Sequence, residues 1–441
     1  MNIALAKTDT RREPGDIFAS VRDRLPGAGK VAEVRQQAFE AYARAGLPHR
    51  RLEDWKYTDL RALMREVLPL AAAPDSSALE RAKAALASLA AVDAHRLVLV
   101  DGVIAPALSD LSALEAGVHV RTLREILEDN SNNARADLLE NGTASGAMIA
   151  LNAAMATDGV VITVANGAVL AKPIHIVHVA TRSSAATYTR SFLKLGQAAH
   201  ATLVESFVAA GDAKSYQTND AVTVWLGDNA NLQHVRLMAD SADATNLTTA
   251  IFTIGAKARL ATFNMTSGGN LSRYQGYLTF VGEGAEVSAN GVNLLNGRQH
   301  ADTTLFLDHA VPHCASREVF RAVVDDRAHS VFQGRIIVQP KAQKTDAKMM
   351  TRALLLSDEA EADNKPELEI FADDVTCGHG ATTGALDESL LFYLRARGLS
   401  EKEAQALLIQ AFVGEAIESI ASDALREVAI ATAQRWLEVR G

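Results

Sequence analysis

The chain has 441 residues, too many for one ordinary hydrophobic core, so two or three structural units are expected. Apolar residues make up 48% and charged residues 22%, as in a globular protein; a net charge of −9, with no basic block interleaved with aromatics, argues against nucleic acid as a partner. Two cysteines exclude a disulfide-built fold and fit a reducing compartment. The N-terminal apolar run Ile3–Ala6 is too short for a signal peptide, and no run approaches the ~18–20 residues that span a bilayer, so a cytoplasmic protein is expected.

Residues 1–20 read as polar and loosely ordered. Pro26-Gly27-Ala28-Gly29-Lys30 resembles a phosphate loop but lacks its essentials. Arg24 stands where the first glycine belongs, and Val31 where a Ser or Thr would hold Mg²⁺. Val31, Val34, Ala38, Ala41 and Ala45 recur at helical spacing, and Gly46 and Pro48 end that helix. The charged, aromatic string HRRLEDWKYTDL (49–60) reads as a loop packed down by Trp55 and Tyr57. Short helices are expected at 60–67, Ser77–Ala91, Thr122–Glu128 and Ala134–Glu140, with a two-stranded hairpin over Arg96–Ile104 turning at Asp101-Gly102. Residues 1–145 thus form a mainly helical N-terminal domain.

From about Gly146 valine, isoleucine and threonine rise, and long helical periods disappear. A weak repeat emerges: an apolar residue, often followed by glycine, then alanine four positions on, then a β-type run. It recurs at Val164, Leu195, Leu226, Ile254, Val281 and Val324, with alanine at 168, 199, 230, 258, 285 and 328. Glycine permits a tight or left-handed turn, alanine fits a stacked corner, and the next strand sends alternate side chains into a shared core. Strand units at this pitch without crossover helices argue for a β-solenoid over 146–384; propeller blades need four strands and usually ~40 or more residues each. Helical domains at both ends are expected to cap it.

After Gly384 the chain turns helical (385–441). Asp387 caps one helix, Ser400-x-x-Glu403 is a capping box for a second, and Leu425, Val428, Ala429, Thr432 and Trp436 mark a third. The second helix carries its stripe at Ala404, Leu407, Leu408, Ala411 and Phe412. Such stripes serve as core or as a docking face for a partner.

Three groups of residues bear on chemistry. His175 and His178 fall on opposite faces of one strand and are not expected to share a metal. His309, His313 and Cys314 match no structural zinc spacing and read as a solenoid corner. Cys377-Gly378-His379 differs: on a strand, Cys377 and His379 share a face, a thiol–imidazole pair suited to iron or zinc, with Asp373 and Asp374 nearby as supporting groups. Buried, inert cysteine is the competing reading. Iron–sulfur clusters usually take four cysteines, so a chain with two can offer only part of a cluster site. No nucleophile elbow, zincin helix, dinucleotide fingerprint or kinase motif set is present.

Residues 331–398 closely resemble the SufB/SufD family of iron–sulfur cluster assembly proteins. The telling pieces are AQKTDA (342–347), ALLLS (353–357) and LEIFADDVTCGHGATTG (368–384), and HRRLEDWKYTDL resembles the N-terminal signature of SufD-type members. SufB-type members are longer, richer in cysteine and carry a glutamate at or beside the Gly380 position; Cys-Gly-His-Gly-Ala-Thr resembles the SufD type. The resemblance implies a right-handed parallel β-helix between helical domains, pairing with a SufB-like paralogue, docking of the SufC-like ABC ATPase on the C-terminal helices, and no catalytic residues in this chain. It further implies that His379, with Cys377 as the lesser participant, holds iron or the nascent iron–sulfur cluster at an interface shared with the paralogue. Whether a flavin takes part is left open. A stand-alone β-helical enzyme and a purely structural β-helix partner are the alternatives. A homodimer of the isolated chain is a further expectation.

Overall fold

The structure, a computed structural model, describes residues 14–110, 114–129 and 135–439. The loosely ordered reading of residues 1–13 and the start of a helix at Ala134 lie outside the described residues.

The N-terminal part holds α1 (Pro14–Ala19), α2 (Lys30–Ala45), α3 (Leu60–Leu63), α4 (Ser76–Ala85), β1 (His95–Val100), β2 (Val103–Ile104), β3 (Val118–Thr122), α5 (Leu123–Leu127) and α6 (Ala147–Met155). Residues 14–19, expected to be loose, are helical, and Ile17 and Phe18 are buried against α2 through a Phe18–Phe39 ring stack. The face of α2 that packs deepest is Val31, Arg35, Phe39 and Tyr42, rotated from the alanine stripe because the aromatic rings fill more space than alanine. α6 was not expected: AMIALNAAM is apolar all round, so it has no 3.6-residue period to read, and every residue of it is buried. Arg35 closes its C-terminal end, donating to the carbonyls of Ala154 and Ala156 at 2.9 Å each. The expected hairpin forms, Val100 pairing with Val103.

The β-rich region runs as β4 (Val160–Val164), β5 (Ile174–Ala180), β6 (Ala186–Leu195), β7 (His200–Ala209), β8 (Gln217–Leu226), β9 (Asn231–Ala239), β10 (Thr245–Ile254) and β11 (Arg259–Thr266). It continues through β12 (Leu271–Phe280), β13 (Glu286–Leu295), β14 (His300–His309), β15 (Ala315–Val324), β16 (His329–Val338), β17 (Asp346–Leu355), β18 (Glu361–Ile370) and β19 (Thr376–Gly384). Even-numbered strands stack in parallel in one sheet and odd-numbered strands in the other, making a parallel β-solenoid of about 8 turns, as the repeat predicts. Gln217 pairs with Thr245, Thr245 with Leu271 and Leu271 with His300, so successive rungs take 28, 26 and 29 residues.

Five of the six repeat marks fall at one edge, where an even strand turns into an odd one. Ala199, Ala230, Ala258 and Ala285 stack there, fully buried. The Val324…Ala328 mark sits at the opposite edge, between β15 and β16. The corner skipped by the repeat is 310–314, where Cys314 takes the alanine place in the column. The reason for the glycines also differs from the expected one. Gly282 is not left-handed; a Cβ on it would stand 1.9 Å from the Ala256 nitrogen, so close approach of successive rungs demands it. The left-handed residue comes just before the stacked alanine: Ala198, Asn229, Lys257 and Gly284.

The two ends differ. β2 and β3 close the first rungs with antiparallel pairing. Among the described residues the C-terminal end has no such closure: α7 (Glu388–Ala396), α8 (Glu401–Ile417) and α9 (Asp423–Val439) do not cap it as expected. α8 instead lies on the outer face of β13 and β15, with Ile409, Val413 and Ile417 packed in one cluster with Phe263, Val292 and Val323. Both caps on α7 and α8 form as read. The buried stripe of α8 is Ala404, Ile409, Val413, Ala416 and Ile417, whereas Leu407, expected in it, is exposed. β18 and β19 are therefore the outermost strands, each hydrogen-bonded to one neighbour among the described residues.

Candidate functional site

β19 carries both residues read as ligands. It pairs in register with β17, setting Cys377 beside Ala347 and His379 beside Met349. Ala347 and Met349 belong to the solenoid interior, so Cys377 and His379 share the inward face at its open end, as strand alternation requires. Cys377 is half-buried and packs against the interior, while His379 is exposed. Burial pushes the Cys377 thiol above its ordinary range, with the Asp346 charge adding to the rise and a backbone hydrogen bond involving Ala347 opposing it. Such a thiol is a protonated, weak nucleophile until a metal replaces its proton.

A groove of about 400 Å³ opens here, lined by Lys348, Met349, Met350, Cys377, His379 and Gly380 among others. Gly380 fits because a Cβ would stand 2.6 Å from the Met350 methyl; Gly378 meets nothing within 4 Å, leaving its backbone open to a partner. Inside the solenoid, the register runs from His379 through Met349 to Glu318. Glu318 is almost fully buried, both carboxylate oxygens lack a hydrogen-bond partner, and burial raises its pKa to about 8. Asp374, expected to support Cys377 and His379, is instead ion-paired with Lys344 at the corner, and Asp373 is exposed.

The string 49–60 clamps the outer face of the even-strand sheet up to its last strand. Trp55 is buried beneath the Arg273 guanidinium, 3.9 Å from the ring centroid, and the Asp54 carbonyl accepts from Arg273. Thr58 meets His300 and Asp302 on β14, Asp54 approaches Arg335 on β16, and Glu53 pairs with Lys365 on β18. Trp55 packs it as expected, while Tyr57 is only half-buried.

His309, His313 and Cys314 do not converge. His309 stacks on Phe280 and bonds Ser316, His313 is exposed in a left-handed corner position, and Cys314 is buried in the small-residue column. His175 and His178 do point apart: His175 bonds Ser206, away from the interior. His178 faces inwards and meets Glu205 and Asp220, a buried group whose ligand atoms lie within 4.8 Å of one another. Sequence reading missed this group because its members sit on three strands in two sheets. Its local signal was polar residues at the inward, otherwise apolar positions of β5, β7 and β8.

Two family descriptions match the chain: the "SufBD protein N-terminal region" over residues 18–176 and the "SUF system FeS cluster assembly, SufBD core domain" over residues 178–412. The iron–sulfur cluster assembly protein SufD of Escherichia coli is 32% identical over 406 residues, 91% of this chain and 92% of that one. A SufBD family protein of Synechocystis is 31% identical over 88% of this chain and 87% of its own length. SufD of Bacillus subtilis is 24% identical over 65% of this chain and 66% of its own.

Proposed function

Because this chain belongs to the SufBD family of iron–sulfur cluster assembly proteins, we propose that it is a SufD-type scaffold subunit whose open solenoid end completes a cluster-building site with a SufB-like paralogue. The observation that carries this reading is the position of Cys377 and His379. They share one face of β19, and among the described residues β19 and β18 each leave one strand edge unpaired, open to pairing with another chain. A thiol and an imidazole are two ligands at most, and the other cysteine, Cys314, is buried in a corner. The remaining ligands must come from the partner. His379 is the principal ligand, since it is exposed at the groove, and Cys377 the secondary one. The nascent cluster or its iron is cargo, held until transfer.

The chain contributes no catalytic residue in this reading. ATP hydrolysis belongs to a SufC-like ABC ATPase docked on the C-terminal helices, where Leu390, Phe392, Tyr393 and Leu407 are exposed. The working division is a helical domain 1–145, the β-helix 146–384 and the helical domain 385–441, in a cytoplasmic protein. Affinity capture of the tagged chain from cells expressing the paralogue and the ATPase tests the assembly. Co-purification of both in defined stoichiometry is expected; recovery of the tagged chain alone, folded, refutes it.

A further inference from the structure

We propose that His178, Glu205 and Asp220 form a divalent-metal site inside the solenoid, distinct from the edge site at Cys377 and His379. Glu205 and Asp220 are fully enclosed and His178 is 8% exposed, yet each keeps one atom without a hydrogen bond: His178 Nε2, which stands 3.8 Å from Asp220 Oδ1, Glu205 Oε1 and Asp220 Oδ2. Buried polar atoms normally find a partner, and three side chains that each leave one without a hydrogen bond, and that each bring a ligand atom within 4.8 Å of the others, mark a missing one. The other atoms of the same side chains are fixed. His234 Nε2 holds Glu205 Oε2 at 2.7 Å and is itself held by Thr262. Thr189 donates to Asp220 Oδ1 at 2.5 Å, and the His178 ring stacks on Phe207 with centroids 4.4 Å apart. A carboxylate steadied by a histidine and a second steadied by a hydroxyl are the supporting contacts that metal ligands need.

One imidazole nitrogen and two carboxylate oxygens suit Fe²⁺, Mn²⁺, Co²⁺ or Zn²⁺ better than the all-oxygen shells of Mg²⁺ and Ca²⁺. A tetrahedral ion bound at about 2.0–2.2 Å spaces its ligands roughly 3.4 Å apart, so the present spacing closes by small side-chain movements. Beside His178, a cavity of about 10 Å³, about the least that holds a water, is lined by Thr187, Thr189, Phe207, Thr218 and Asp240, but Glu205 and Asp220 do not line it. Arg236 opposes a cation, but its guanidinium lies over the Phe207 ring and its terminal nitrogens are engaged by Asn246, Thr248 and Asn264. Two carboxylates outweigh it. Burial favours the neutral form of Asp220 and the Glu205 charge adds to this, while the neighbouring His178 and the Thr189 hydrogen bond oppose it.

Co²⁺ is the probe: the full-length chain is equilibrated with it anaerobically, desalted, and its metal content and visible spectrum are measured. One Co²⁺ per chain with a nitrogen–oxygen ligand spectrum is expected, unchanged in the Cys377→Ser/His379→Ala double variant. Asp220→Asn and Glu205→Gln, close in shape to the originals, are expected to weaken retention at least ~10–100-fold, the cost of losing even a supporting group. Co²⁺ should also raise the melting temperature of the wild type and of the double variant, but not of Asp220→Asn. Folded wild type that holds no Co²⁺ overturns the site. So does undiminished binding by folded Asp220→Asn and Glu205→Gln, or a thiolate–cobalt band that disappears with Cys377→Ser and leaves no other signal.

Discussion

Glu318 shows what a single enclosed side chain does to the whole molecule. Its carboxyl is neutral in the folded chain up to about pH 8 because burial raises its pKa from the ordinary 4.5. Unfolding returns it to water and to that ordinary value. Its contribution to stability is therefore fully present below pH 4.5 and is lost as pH rises through 8. In Glu318→Gln the dependence disappears: melting curves between pH 5 and 8 should show the wild type losing stability relative to the variant as pH rises. Parallel curves contradict the neutral, buried carboxyl. The same scale separates what local sequence reveals from what it hides. Cys377 and His379 were legible because alternation along one strand suffices to put them on one face. His178, Glu205 and Asp220 were not, since which residue of β7 or β8 meets which residue of β5 depends on rung length and on how the two sheets face each other.

At the scale of elements, the 49–60 string and the C-terminal helices act as braces on opposite sheets. Trp55 has the Arg273 guanidinium on its face and is buried, so Trp55→Ala should cost about 3–5 kcal/mol in denaturant unfolding. A cost below 1 kcal/mol would show that the string is not a brace. α8 is held by Arg321, buried beneath it, which donates to Glu415 at 2.5 Å and lies 5.6 Å from the Phe412 ring centroid. Its second apolar side explains why the stripe was misread: a helix apolar on most of its surface does not announce which face is inward. That outward face, with α7, gives a prediction in two parts. Phe392, 75% exposed, changed to Asp should leave thermal stability within ~0.5 kcal/mol and reduce co-purification of the ATPase. Undiminished co-purification places the docking face elsewhere. α6 escaped notice for the same reason as the misread stripe, in stronger form, being apolar all round.

For the whole molecule, the repeat pitch and the absence of crossover helices were enough to reveal a two-sheet solenoid, because each rung obeys the same local geometry. How the ends are treated was not legible: capping depends on where the helices pack, and α8 packs on a face that only the assembled rungs create. The consequence is a solenoid closed at its first rungs and open at β18 and β19. An exposed strand edge next to a thiol and an imidazole, the ligands proposed for the shared site, suits assembly with a related chain. In the absence of the paralogue, sedimentation at micromolar concentration should give a dimer mass; a monomer would mean that the edge does not pair with itself. The most direct test is anaerobic measurement of iron and acid-labile sulfide on the complex purified with either wild type or His379→Ala. The expected result is a complete complex in both cases, with cluster iron and sulfide lost or strongly reduced in the variant. An intact complex carrying undiminished iron and sulfide after His379→Ala would contradict the shared edge site.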